Sequence, residues 1–380
     1  MVRPTPTGRL RLAILGTRGV PARYGGFETF AEELGTRLAS RGHEVTVYGR
    51  SGWIPRGLKE HRGMRIVRLP APRSKYLETV VHTIFSAAHA VARRWDVVYV
   101  CNLANVPAVI LLWAAGKRVV LNVDGLEWQR QKWSAIGRAY YRACASLATK
   151  LPIALVTDAQ VIQAFYRSNY GRETTHFAYG TDLEPVPDDG TLARLGLAAG
   201  RYVLYVSRLE PENNAHLVIE AFREVKTDMM LAIVGDAPYA GAYIEGLRAA
   251  AAADTRVKLL GAHYGHAYRV LRSHAAAYVQ ATEVGGTHPA LVEAMGYGNA
   301  ICANDVPEHR EVLGDSALYF RGTRDLAAKV QRLLDDDGLN SALREAAATR
   351  AREHYNWDAV AADYEAWLMG IADTPSAQRR

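Results

Sequence analysis

The sequence predicts an α/β protein made of two doubly wound, parallel-sheet domains, and three observations predict it. Length comes first: 380 residues exceed what one ordinary core of roughly 100–200 residues fills. Second, one pattern opens the chain and returns about 190 residues later: apolar strand, punctuated loop, amphipathic helix, strand. Third, 49% hydrophobic and 22% charged residues give the balance of a globular protein and exclude disordered and fibrous classes.

The first domain opens on "LRLAILGT", a continuous apolar run ending in glycine, which reads as a buried parallel strand. A glycine-rich loop follows, "RGVPARYGG". In "FETFAEELGTRLASRGH", Phe27, Phe30, Leu34 and Leu38 recur at spacings of three and four, so one helical face is apolar, and Gly42 stops it before the strand "EVTVYG". The second domain repeats the unit with "YVLYVSRL" as strand, "NNAHLVIEAFREV" as helix and "MMLAIVGD" as the next strand. That helix is expected to pack through Leu217, Ile219, Ala221 and Phe222. Prolines, acids and glycines cluster without periodicity in "YGTDLEPVPDDGT", the natural linker. The expected division is 1–180, 181–355, and a final segment 356–380. In that segment Trp357, Val360, Tyr364 and Trp367 form the stripe of a helix that crosses back to the first domain. Two such domains place a site between them, where strand ends face each other across a cleft. Disorder is expected only in "MVRPTPTGR" and "ADTPSAQRR".

The formal charge of +7 conceals an asymmetry: residues 1–180 carry +15 and residues 181–380 carry −8. A basic half suits an anionic ligand, an anionic membrane or nucleic acid, although solvated surface arginines give the same count. Cys101, Cys144 and Cys302 have no metal-binding or redox spacing, which argues against a disulfide framework and for a reducing compartment. "RLAILG" is too short for a signal peptide, and "VPAVILLWAAG" falls below the roughly 18 apolar residues of a membrane span. The expectation is a cytosolic enzyme.

Two turns carry the chemistry. In "RGVPARYGGFET", Gly25 and Gly26 stand just before a helix, where backbone amides and the positive end of the helix meet an anion, with Arg18 and Arg23 nearby. A tight turn without a ligand fits the same residues. The G-x-G-x-x-G spacing is absent, and the second strand ends in Gly49-Arg50 with no acid for a ribose, so an NAD enzyme is disfavoured. In "EVGGTHPALVEAMG", Gly285 and Gly286 permit close backbone approach, and Pro289 suits the first turn of the helix. Glu293 follows one turn in, placed to accept two ribose hydroxyls or, equally, to cap a helix or form a salt bridge. Upstream, "VSRLEPENN" sets Arg208 just past a strand end, where a guanidinium clamps a phosphate bidentately.

Over nearly its whole length the chain resembles the family-four retaining glycosyltransferases of the GT-B fold, two Rossmann-like domains facing each other across a cleft. The matching pieces are "RYGGFETFAEEL", "RGHEVTVYG", "YGTD", "VSRLEPENN", "IVGDAP", "PALVEAMGYGNAI" and "NWDAVAADYEAW". More narrowly, "GTRGVPARYGGFETF", "NVDGLEWQRQKW" and "GGTHPALVEAMG" resemble the rhamnosyltransferase branch, which uses dTDP-L-rhamnose on cell-surface polysaccharide precursors. The resemblance implies that Gly25 and Gly26 approach the donor diphosphate, Arg208 neutralises it as it leaves, and Glu293 binds the ribose. The implied donor site also takes in Arg18, Asn213, Gly286, Thr287, His288, Ala290 and Leu291. It implies a nucleotide-sugar substrate, a lipid-linked or glycan acceptor, and neither cofactor nor metal.

Three positions depart from the family pattern. Gly285 stands eight residues before Glu293, where a second glutamate is usual, with Glu283 two further upstream. Asn213 replaces a lysine, leaving one phosphate charge to be supplied elsewhere, by Arg18 for example. Asp124 in "NVDGLEW" occupies a histidine's place; it takes or orients the acceptor proton, or else caps backbone amides. A 6-deoxy sugar without an O6 hydroxyl is consistent with such altered contacts.

Finally, "EWQRQKWSAIGRAYYRACASLATK" interleaves Trp128, Trp133, Tyr140 and Tyr141 with Arg130, Lys132, Arg138, Arg142 and Lys150. That mixture suits an anionic membrane or a lipid-linked pyrophosphate, or a packed helix with a solvated basic face. No fold motif supports nucleic acid. The resulting expectation is a cytoplasmic, peripherally membrane-associated glycosyltransferase. UDP-sugar transfer, a sugar-nucleotide epimerase of the same architecture, and a polyanion-binding module stand as alternatives.

Overall fold

Alternation of apolar strand and amphipathic helix becomes two separate sheets in the computed structural model, which describes residues 8–374 except 73, 75, 76, 131, 238 and 239. The termini expected to be disordered lie mostly outside these residues. The chain divides into two units. The first comprises the described residues of Met1–Trp128, Trp133–Ala178 and Trp357–Arg380, and the second those of Gln129–Lys132 and Tyr179–Asn356.

In the first unit the elements run β1 (Arg11–Leu15), α1 (Gly26–Ser40), β2 (Glu44–Arg50), β3 (Glu60–His61), β4 (Met64–Leu69), α2 (Glu78–Val91) and β5 (Val97–Cys101). They continue with α3 (Val106–Ala114), β6 (Val119–Asn122), α4 (Ala135–Lys150), β7 (Ala154–Thr157), α5 (Gln160–Tyr170) and β8 (Thr175–His176). The sheet order is β3-β4-β2-β1-β5-β6-β7-β8, with the short β3 antiparallel to β4. Strand residues alternate between faces. Ala13, Leu15, Val98 and Val100 pack with α2 to α5, while Tyr99 on the opposite face meets Phe30 of α1.

The second unit begins with α6 (Thr191–Arg194), then β9 (Tyr202–Val206), α7 (Ala215–Glu224), β10 (Met230–Val234), α8 (Gly241–Ala252), β11 (Val257–Gly261), α9 (Gly265–Ser273) and β12 (Ala277–Gln280). α10 (Pro289–Gly296), β13 (Ile301–Asn304), α11 (Pro307–Leu313), β14 (Ala317–Phe320), α12 (Thr323–Asp335) and α13 (Asp337–His354) complete it. All six strands are parallel, in the order β11-β10-β9-β12-β13-β14. One detail differs from the sequence expectation: α7 buries Ile219, Ala221 and Phe222 as expected, together with Ala215 and Val218, and Leu217 is only half-buried. The strict i, i+3, i+4, i+7 stripe therefore runs through Val218.

After the second unit the chain returns to the first at Trp357 and forms α14 (Trp357–Asp373). Its Tyr364 stacks on Phe177 at 4.1 Å and reaches the Tyr99 hydroxyl at 3.2 Å. Glu365 accepts from Arg41 and meets His43, each at 2.7 Å, so a buried carboxylate ties α14 to the turn after α1.

Candidate active site

In a doubly wound sheet the natural binding position is the point where strand order reverses, beyond the carboxyl ends of the strands. In the first unit that point lies between β1 and β5. Gly16 sits there at φ +91, and a Cβ on it would lie 2.3 Å from the Cys101 carbonyl, so only glycine lets the two strand ends come this close. The loop beyond is held by two carboxylates one helical turn apart on α1. Glu28 accepts from the Arg18 amide at 2.7 Å, and Glu32 accepts from the Ala22 amide. Neither glutamate stood out in the sequence, although their spacing of four was visible there.

Gly25 is the N-cap of α1 with an extended φ of −164, and a Cβ built on it would meet only the Glu28 carboxylate at 3.6 Å. Neither backbone nor packing requires glycine at that position. Gly26 is the first residue of the helix. The Arg18 guanidinium lies 3.2 Å from the Tyr24 ring centroid and 4.6 Å from that of Trp53, with Glu78 at 3.8 Å, so its charge is already engaged within this unit. Asp124, after β6, adopts φ +60, a left-handed conformation that aspartate tolerates; its amide donates to the Asn122 side chain at 2.8 Å. Asn122 in turn donates to the Tyr99 hydroxyl at 3.1 Å, which links the Asp124 turn to α14 through Tyr364.

In the second unit the order reverses between β9 and β12. Arg208 follows β9, with its side chain one-third exposed and 4.0 Å from Glu210. The loop after β12 leads into α10. Thr287 in that loop is buried, and the ring of His288 lies over Gly285, where a Cβ would come within 2.6 Å of it, so this glycine is needed for a close approach inside the loop. His288 is the N-cap residue of α10, and its carbonyl accepts from the Leu291 amide at 3.0 Å. Pro289 has no N–H, which leaves the Ala290 amide as the first-turn donor without an intrahelical acceptor. Leu291 itself is fully buried and contributes packing.

Glu293 sits in an apolar run because its carboxylate meets two polar side chains of α9. The Tyr268 hydroxyl donates to Glu293 Oε2 at 3.0 Å, and Arg272 reaches the same oxygen at 2.5 Å. Arg272 is itself buried, its guanidinium 3.9 Å from the Tyr268 ring and 4.7 Å from that of Tyr297. The salt-bridge role considered for Glu293 is thus present. Tyr268 and Arg272, four apart on one helix, were not singled out in the sequence, because nothing local pairs them with a carboxylate more than twenty residues away.

The other glutamate, Glu283, accepts from Asn214 at 2.8 Å, while its amide donates to the Glu212 carbonyl at 3.1 Å. Asn213 is buried, and its side-chain amide donates to the Arg208 carbonyl at 2.6 Å. It therefore braces the Arg208 turn.

A buried polar chain underlies the loop. Tyr278 donates to Gln280, Gln280 to Thr282, and Thr282 lies 3.3 Å from His288 and 3.2 Å from His309. Burial, then His309, Arg130 and Arg208, hold His288 well below the usual imidazole range, and burial brings His309 to about 4. Both rings are neutral near pH 7.

In the segment read as a membrane or pyrophosphate contact, or else as a packed helix with a solvated basic face, burial divides the side chains. Trp128 and Tyr141 are core residues at 6% and 5% exposure, Trp133 donates to Glu127 at 3.0 Å, and Arg130 is buried. Of the four aromatics only Tyr140 is exposed. The buried Tyr141 lies on the packed side of α4, and Arg138, Arg142 and Lys150 form its exposed basic side. Among the described residues, no group of three or more His, Cys, Asp or Glu side chains could hold a metal, and no helix is long and apolar enough to cross a membrane. The three cysteines are buried and unpaired.

Residues 200–336 match the family of Glycosyl transferases group 1, and residues 97–182 match a Domain of unknown function (DUF1972). No curated protein matches the chain. Among solved structures, sucrose-phosphate synthase from Thermosynechococcus elongatus superposes with a TM-score of 0.82 at 20% identity, covering 96% of this chain and 99% of that one. Anabaena HepE in complex with UDP-glucose gives 0.78 at 16% identity, covering 95% and 100%. WaaG, a glycosyltransferase involved in lipopolysaccharide biosynthesis, gives 0.70 at 16% identity, covering 93% and 99%. The match to Glycosyl transferases group 1 falls within the second unit. The chain as a whole has the GT-B fold of two Rossmann-like, parallel-sheet domains.

Proposed function

We propose that the protein is a glycosyltransferase that moves L-rhamnose from dTDP-L-rhamnose, with retention, onto a lipid-linked or glycan acceptor for cell-surface polysaccharide. Its setting is the cytoplasmic side of an anionic membrane. One observation carries the transferase reading: at the β9/β12 reversal, Arg208, the first-turn amide of α10 and Glu293 come from the ends of adjacent strands. These are a cation, an anion-binding helix start and a hydroxyl acceptor, the three functions a nucleoside diphosphate requires.

In the proposed step the bond from the anomeric carbon to the diphosphate oxygen breaks and the electron pair leaves on the diphosphate. Arg208 and the helix-start amides are worth most to the transition state, where that charge develops, and this account needs no bound metal. The acceptor hydroxyl oxygen bonds to the anomeric carbon, and its proton passes to Asp124 or is oriented by it. Gly25 fits a close approach by the donor, since its own unit gives no reason for a glycine there.

A second reading, transfer from a UDP-sugar, is favoured by the resemblance to HepE, whose structure holds UDP-glucose. Supplying dTDP-L-rhamnose, UDP-glucose or UDP-N-acetylglucosamine, with and without a membrane lipid extract, separates the readings. Release of dTDP that requires the extract supports rhamnosyl transfer. Release of UDP alone moves the donor to the second reading, and isomerisation of the sugar without acceptor makes the protein an epimerase.

A further inference from the structure

We propose that the outer face of α2, α3 and α4 in the first unit is a docking surface for an anionic lipid bilayer. This rests on the reading of a lipid-linked acceptor; from the aromatic segment that the sequence suggested it keeps only α4, with Tyr140, Arg138, Arg142 and Lys150 exposed, and joins to it the outer sides of α2 and α3. Single exposed apolar side chains are ordinary, whereas a cluster of them is not. Of the nine large hydrophobics that are exposed among the described residues, seven lie on these three helices.

The three helices are neighbours in one layer of the first unit, α2 beside α3 and α3 beside α4. On α4, Ile136, Tyr140 and Leu147 fall at helical spacing on one side, with Ile136 at 84% exposure. Tyr140 donates to the Ala104 carbonyl at 2.7 Å, which turns this side of α4 toward the start of α3. Ile110 and Leu111 of α3 continue it, and α3 packs on α2, whose Ile84 and Phe85 stand exposed.

Charge identifies the occupant. α3 has no charged residue, α4 has Arg138, Arg142 and Lys150 with no acid, and α2 has no acid after Glu78 at its first position. Arg93 and Arg94 follow α2, both exposed. A second copy of the same face would set cation against cation. A bilayer carrying anionic headgroups offers both an acyl boundary for the apolar side chains and countercharge for the cations, the two signals that stable peripheral binding needs.

The test is co-sedimentation of the full chain with vesicles of phosphatidylcholine alone and with one-third phosphatidylglycerol, at low and high salt. We compare the wild type with Phe85→Glu/Ile136→Glu and with Arg142→Glu/Lys150→Glu. The expected result is binding to the anionic vesicles that weakens at least tenfold in each double variant and with salt, and is slight on phosphatidylcholine. Titration with nucleotide sugars in the same samples keeps the two claims apart. Donor binding that persists in all variants shows that they fold. Donor binding without vesicle binding in the wild type overturns the docking surface alone. Vesicle binding without any donor binding overturns the proposed function and leaves the surface standing. Vesicle binding unchanged in both variants, or a wild-type oligomer that the variants dissociate without any lipid binding, also overturns the assignment.

Discussion

At the scale of single residues, Glu293 shows how one carboxylate serves structure and, on our proposal, binding. Arg272 is buried against it, so Glu293→Ala leaves an unpaired guanidinium inside the second unit at a cost of about 3–5 kcal/mol. Glu293→Gln still accepts from Tyr268 and costs less; urea unfolding of the two variants measures the gap. Donor affinity is therefore best tested in the Gln variant, with its urea midpoint measured beside it so that a loss of binding is told from unfolding. Arg208 has a different profile. Its side chain is partly exposed and it is braced by Asn213, so Arg208→Ala folds, while turnover falls roughly 100-fold or more, as for a lost transition-state charge partner. Asp124→Asn lowers turnover and leaves donor affinity nearly unchanged, which steady-state kinetics beside a binding titration would show. The types of these residues were legible in the sequence because each follows a strand or opens a helix. Their partners were not, since Tyr268, Arg272, Asn122 and Tyr99 are brought in from other elements by packing that local spacing does not encode.

At the scale of elements, periodicity found the strands and the amphipathic helices, because each buries one stripe against a sheet. It erred where two adjacent apolar residues compete for the stripe, as at Leu217 and Val218, and left two readings open where aromatics beside cations are a helix's buried side, as at Tyr141. α14 joins the first unit through Tyr364. Tyr364 is fully buried between Phe30, Tyr99 and Phe177, so Tyr364→Ala costs about 3–5 kcal/mol. Hydrogen exchange detects the loss in α1 and β5, and an unchanged exchange pattern there would contradict the packing described.

At the scale of the molecule, acid should weaken both units. His82 in the first unit and His309 in the second are buried, and burial brings each to about 4, with Arg50 adding to the effect at His82. The unfolded chain takes up these protons near pH 6.5 and the folded one does not until about pH 4. Between those values the unfolded state binds more protons, so stability is complete above pH 6.5 and falls as pH drops toward 4. Urea midpoints at pH 7 and pH 4.5, with His309→Gln as reference, measure it; a midpoint independent of pH would show that the rings titrate freely.

The central claim is that the second unit holds a nucleoside diphosphate sugar at the β9/β12 reversal. Calorimetric titration of the wild type and Glu293→Gln with dTDP-L-rhamnose, UDP-glucose, UDP-N-acetylglucosamine and GDP-mannose tests it most directly. The account predicts saturable binding of dTDP-L-rhamnose, tighter than the other three, and at least tenfold weaker in the variant. Preference for a UDP- or GDP-sugar would remove rhamnose and keep the site, and a folded wild type that binds none of the four would contradict the claim itself.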